Sequence, residues 1–229
     1  MSDNRLIVAL DVADALTGLT IAQKIGEHVN FYKIGLAMLT GGGLALANEL
    51  KDQHGKRILL DLKLYESAGT IETAVRGLAR NGIDALTVHG DPHVVRAAKE
   101  GASGTAMQIY AVTMLSSLGR ADLDANLMRD GDPGELAAER AARAFDAGAD
   151  GVICAAGYVA RVRALSEAAE RLIVAPNIRV GGSSRGEDFA SAPPRDTLTR
   201  GADHIVIGQM VTGARDPAGA ARSILAEIA

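Results

Sequence analysis

LIVALDVADALTG, residues 6–18, is where the fold is decided. It opens as an apolar run, turns acidic at Asp11 and Asp14, and passes into a helical pattern. A doubly wound open sheet that grips phosphate would place Gly-x-Gly-x-x-Gly at this junction, and the stretch has none. Further short runs repeat the form: FYKIGL from Phe31, RILLDLKL from Arg57, ALTVHG from Ala85, QIYAVTML from Gln108, GVICAA from Gly151, LIVAPNI from Leu172 and HIVIGQ from His204. Between them lie Ala-rich amphipathic patterns closed by Gly, such as GGLALANELKDQHG (42–55) and ELAAERAARAFDAGADG (135–151). Asp216-Pro217, after the last run, suits a helix start. Strands that are apolar through most of their length belong in a parallel sheet covered on both faces. Eight strand–helix units in 229 residues therefore predict an α/β fold, one closed (β/α)8 TIM barrel over residues 1–229 with no linker. The units repeat as structure, and no sequence repeat accompanies them. Two connections exceed the usual length, 116–132 and 180–193. Both fall on the face where barrels do chemistry, so both are candidate lids.

Composition narrows the class. Hydrophobic residues make 48%, too many for a disordered chain. A formal charge of −4 and 3% aromatics offer neither a basic footprint nor stacking platforms, so no nucleic-acid partner is expected. The single cysteine, Cys154, excludes an internal disulfide framework and a cysteine-cluster zinc site, and reads as a small buried apolar residue. No apolar run reaches transmembrane length, and Arg5, Asp3 and Asp11 make the opening a poor signal peptide. The expectation is a cytoplasmic protein with no membrane partner.

Charged side chains recur near the C-terminal ends of the apolar runs. Asp11 closes the first, Lys33 sits in the second, Asp61 and Lys63 in the third, and His89 ends the fourth. Residues two apart in a strand share a side, so Asp61 and Lys63 face together, away from Leu60, Leu62 and Leu64. Any one of these charges could be ordinary where a strand meets solvent. Two acids and two ammoniums at one barrel mouth are another matter, because charges in a low-dielectric interior must pair. Such an array marks a functional site. His89 alone suggests a hydrogen-bonded rim residue. Glu66 would complement the N-terminus of the following helix.

Asp-Leu-Lys-Leu-Tyr-Glu at 61–66 resembles the D-x-K-x-x-D signature of the orotidine 5′-monophosphate decarboxylase family. IVALDV around Asp11, FYKIGL around Lys33, Thr70, TVHG with His89, AVTMLSS ending at Ser116 and Ser117, APNIR ending at Arg179, and GADHIVIGQMVTGARDP follow in that family's order. The wider group also holds sugar-phosphate decarboxylases and aldolases, and Lys33 favours the orotidine branch. The resemblance implies a barrel homodimer with shared active sites that removes CO2 from a pyrimidine nucleotide, giving UMP, with no cofactor and no metal. It implies that Lys63 protonates the ring carbanion and Asp61 stands beside the substrate carboxylate. Lys33 would hold Asp61 and the ribose, and Asp11 would bind ribose hydroxyls. Glu66 and Thr70 would reach into the partner's site, and Ser116 would meet the pyrimidine amide.

The chain departs from the family at defined places. Glu66 replaces the signature's last Asp, and Ser67-Ala68-Gly69 precedes Thr70 where the family has Ile-Pro-Asn. Glu187 and Asp188 stand where a Gln is usual, and Gln209 follows Gly208 where an Arg is usual. Arg179, Arg185 and the backbone near Gly181, Gly182 and Gly208 are the remaining candidates for the phosphate end. These departures leave a second reading, a related lyase acting on another nucleotide, a nucleoside or a sugar acid. A non-catalytic binding protein on the same barrel is a third, and the intact acid–base array speaks against it.

Overall fold

The computed structural model describes residues 4–115, 131–180 and 191–229. Eight parallel strands close on themselves in chain order, with the last pairing the first. They are β1 Leu6–Ala9, β2 Phe31–Gly35, β3 Arg57–Leu64, β4 Ala85–His89, β5 Gln108–Val112, β6 Gly151–Ile153, β7 Leu172–Ala175 and β8 His204–Ile207. Around them run α1 Ala15–Ile25, α2 Gly43–Asp52, α3 Ala68–Arg80, α4 Pro92–Gly101, α5 Pro133–Asp146, α6 Val159–Arg163, α7 Pro194–Thr199, α8 Gln209–Thr212 and α9 Pro217–Ile228. This is the (β/α)8 barrel that the alternation predicts. Most of both proposed lids, 116–130 and 181–190, lies outside the described residues.

Strand alternation divides the apolar residues into two cores. Ile7, Phe31, Leu59, Tyr110, Val112 and Val174 point inward and fill the barrel. Val8, Tyr32, Ile34, Ile58, Leu60 and Leu62 point outward under the helices. The same period turns Asp61 inward above Leu59, and Lys63, two residues on, lines the same cavity. Most strands are shorter than their apolar runs. β1 ends at Ala9, and after one further ladder bond, Leu10 N–H to the Lys33 carbonyl at 2.9 Å, the chain leaves the sheet at Asp11. Helix starts are fixed by side chains: the Asp14, Asp132 and Asp216 carboxylates accept backbone N–H bonds at 2.8–3.1 Å. Such a cap is typically worth about 1 kcal/mol.

A sequence repeat does accompany the units, contrary to the expectation above. Gly82-Ile83-Asp84, Gly148-Ala149-Asp150 and Gly201-Ala202-Asp203 each precede an even-numbered strand. The glycines have φ of 69°, 99° and 107°, which only glycine adopts without strain. Each Asp accepts a backbone N–H from the preceding odd strand, at Ile58 (2.9 Å), Ile109 (2.8 Å) and Ile173 (2.7 Å). Each also pairs with a cation from the helix before that strand: Lys51 at 3.0 Å, Lys99 at 2.8 Å and Arg163 at 2.6 Å. Three similar clamps thus tie the strands in pairs at the face opposite the charged array.

Candidate active site

The strands deliver the array to the barrel mouth. Lys33 projects inward from β2 with its side chain only 10% exposed, and its ammonium lies 3.0 Å from both oxygens of Asp11. The same ammonium is 3.3 Å from Asp61 Oδ2, while Lys63 Nζ meets Asp61 Oδ1 at 2.7 Å. Asp11, Lys33, Asp61 and Lys63 therefore form one alternating chain of charge. Lys33 and Asp61 are its inner members, at 10% and 13% side-chain exposure, and Asp11 at 50% and Lys63 at 35% are its open ends. Burial by itself would raise the Asp61 carboxyl. The Lys33 and Lys63 ammoniums and the Thr87 hydroxyl outweigh it and hold the group below the usual carboxylate range.

Two local features make room for this chain. A side chain at Gly35 would bring its Cβ within 2.5 Å of Asp11 Oδ1 and 3.3 Å of Lys33 Nζ, so the first ion pair needs a glycine beside it. The β3–β4 register shifts between Leu60 and Leu64, and Lys63 takes a positive φ of 49°. Lys63 N–H then bonds Thr87 Oγ1 at 2.9 Å, and that hydroxyl donates to Asp61 Oδ1 at 2.9 Å.

The array forms one wall of a cavity of about 490 Å³. Leu59, Val112, Ile153, Pro176 and Val206 supply apolar wall, and Gly208 lies at the rim. Its volume suits a small organic ligand, with charge on one side and apolar wall on the other. A neighbouring cavity of about 520 Å³ shares Asp11, Lys33, Asp61 and Lys63 and adds Leu36 and His89. His89 is a bonded rim residue, as its sequence position suggests: Nδ1 lies 2.6 Å from Asp91, and its ring packs on Tyr65 at 4.9 Å between centroids.

Not every candidate from the sequence joins the array. Glu66 and Thr70 are exposed and line neither cavity. The Glu66 carboxylate turns back to the Ser67 N–H, and the Thr70 hydroxyl lies 2.9 Å from that of Ser67. Gln209 opens α8 next to Gly208, and Arg179 follows β7 with its N–H bonded to the Ala192 carbonyl at 2.9 Å. Neither side chain lines either cavity. Ser116, Ser117, Gly181, Gly182, Arg185, Glu187 and Asp188 lie outside the described residues. Thr87 and Gly35 were not legible as site residues. Each looks ordinary in an apolar strand, and only the register across strands reveals them.

The array and its cavity agree with what sequence comparison finds. The profile of the orotidine 5′-phosphate decarboxylase / HUMPS family matches residues 4–224. The chain belongs to that family. The orotidine 5′-phosphate decarboxylase of Ruegeria pomeroyi is 59% identical over 228 residues, covering 100% of this chain and 95% of its own length. That of a Jannaschia species is 58% identical over 228 residues, covering 100% of both. The crystal structure of orotidine 5′-phosphate decarboxylase from Lactobacillus acidophilus superposes with a TM-score of 0.84 at 30% identity, over 99% of each chain.

Proposed function

We infer that the chain is a carboxy-lyase that converts orotidine 5′-phosphate to UMP and CO2. One observation carries the reading beyond family membership: Asp61 is held between the Lys33 and Lys63 ammoniums at 3.3 and 2.7 Å, against an apolar cavity. A carboxylate substrate placed there meets the Asp61 charge, which disfavours its ground state. As the bond from ring carbon to carboxylate breaks, its electron pair stays on the ring and CO2 leaves. The Lys63 ammonium, fixed beforehand, stabilises that anion and then gives it a proton. Lys63 is left neutral and regains its proton from solvent, to which it is open. Lys33 keeps Asp61 ionised throughout. In this reading Asp11, half exposed, binds the ribose hydroxyls, and Gly208 and Arg179 serve the phosphate.

The working unit in this reading is a homodimer of single-domain chains, 1–229. Glu66 and Thr70 stand apart from their own array, which suits service in a partner's site. Leu36, Tyr65 and Leu115 are large, exposed and beside the array, at 62%, 63% and 41% exposure, which suits burial by a second copy. A cytoplasmic location goes with this reading. Among the described residues no helix is long and apolar enough to cross a membrane.

The test is turnover by the purified full chain of orotidine 5′-phosphate, orotidine and a set of sugar acids, with products separated by chromatography. UMP from the phosphorylated substrate is expected. No UMP above the blank from folded protein would overturn the reading. Turnover of another acid alone would favour the related-lyase alternative that Gln209 suggests. Sedimentation tests the pairing: an active monomer would remove Glu66 from the site.

A further inference from the structure

Between Leu60, which faces Leu86, and Leu64, which faces Val88, three residues of β3 stand against one of β4. The three are Asp61, Leu62 and Lys63, and the one is Thr87. A bulge of this size leaves ladder groups without strand partners and re-aims the side chains it carries. Here it puts Lys63 at φ 49°, a conformation that disfavours a residue with a Cβ unless its surroundings hold it. Thr87 is fully buried, with no exposed surface. Its hydroxyl bonds both ends of the bulge, accepting from Lys63 N–H at 2.9 Å and donating to Asp61 Oδ1 at 2.9 Å. The direction of both bonds is dictated, because an amide N–H only donates and a carboxylate only accepts.

We propose that Thr87 is a positioning residue, whose hydroxyl holds the β3 bulge in the shape that aims the Lys63 ammonium into the cavity. The proposal rests on the decarboxylase reading for its kinetic consequence, though not for its structural one. The hydroxyl joins the proton donor's backbone to the carboxylate that tethers the proton donor's ammonium. Lys63 is thus fixed at both its amide and its side-chain end. Thr87 also contributes to keeping Asp61 ionised, together with the two ammoniums.

Thr87→Val keeps the shape and removes both bonds, and Thr87→Ser keeps the hydroxyl. For Thr87→Val, kcat should fall by about 10- to 100-fold, the loss typical of a displaced reacting group. KM should move by less than about threefold, since binding contacts remain. The acidic limb of the kcat profile should shift upward, and the Lys63 backbone amide should exchange hydrogen faster. Thr87→Ser should restore all of these. A Thr87→Val enzyme with wild-type kcat and slow Lys63 exchange would overturn the proposal. If Thr87→Val fails to fold, Thr87→Ala carries the same comparison, and a Thr87→Ser enzyme as impaired as Thr87→Ala overturns it. Amide exchange does not depend on the substrate. A wild type that leaves orotidine 5′-phosphate intact, with Lys63 exchange still accelerated in Thr87→Val, would sink the decarboxylase reading and leave the positioning role standing.

Discussion

Lys63→Ala removes both the ammonium that lies 2.7 Å from Asp61 and the proton it carries. At about 4 Å and an effective dielectric near 20, an ammonium and a ring carbanion attract by about 4 kcal/mol, or about 10³-fold in rate. Losing a positioned proton donor costs about 10²- to 10⁴-fold. One group performs both tasks, so the two losses overlap and do not multiply. The expected fall in kcat is therefore about 10³- to 10⁴-fold. KM should change far less, because the lost interaction is made mainly in the transition state. Asp61 keeps Lys33 at 3.3 Å, and the Lys63 side chain is 35% exposed, so stability should drop by no more than about 1 kcal/mol. The assay is UMP formation by chromatography, with thermal unfolding of the same preparation. A Lys63→Ala protein that melts like wild type and keeps turnover within about tenfold would refute the assignment.

The other predictions concern stability and reactivity. Asp61 sits below its ordinary pKa in the fold, so its ionised form stabilises the protein above the unfolded value and that share is lost as pH falls through the folded one. Asp61→Asn should therefore cost stability near pH 7 and much less near pH 2, and denaturant midpoints with equal losses at both pH values would contradict this. Asp150→Ala breaks one foot clamp, the bonds to Ile109 N–H and Lys99 at 2.8 Å. It should cost about 1–3 kcal/mol and lower Tm by about 3–8 °C, with kcat unchanged; an unshifted melt would show the clamp to be idle. Burial pushes the Cys154 thiol up to about 12, so a thiol reagent near pH 8 should label only unfolded chains, and rapid labelling of native protein would be the contrary result.

Much of the fold was legible because it depends on period and order. Apolar runs alternating with Ala-rich stretches specify strand and helix, and the absent glycine loop after Asp11 rejects the open sheet. A spacing of two anticipated the pairing of Asp61 with Lys63, although a bulge and not a regular strand delivers the Lys63 side chain. Their partners Asp11 and Lys33 were legible only by position along their strands. What stayed hidden depends on register between strands. A threonine inside ALTVHG reads as strand propensity, and nothing in RILLDLKL announces a bulge or a left-handed lysine. The need for Gly35 appears only when Asp11 arrives from β1. The Gly-x-Asp clamps are hidden in the sequence because each spans three residues in otherwise dissimilar surroundings.

A crystal structure with UMP bound tests most directly whether these charges form a proton-donating array. The Lys63 ammonium should stand within about 3–3.5 Å of the ring carbon that carried CO2, with Asp61 still between the two lysines. A ring seated elsewhere in the mouth, or Lys63 turned away from it into solvent, would contradict the account.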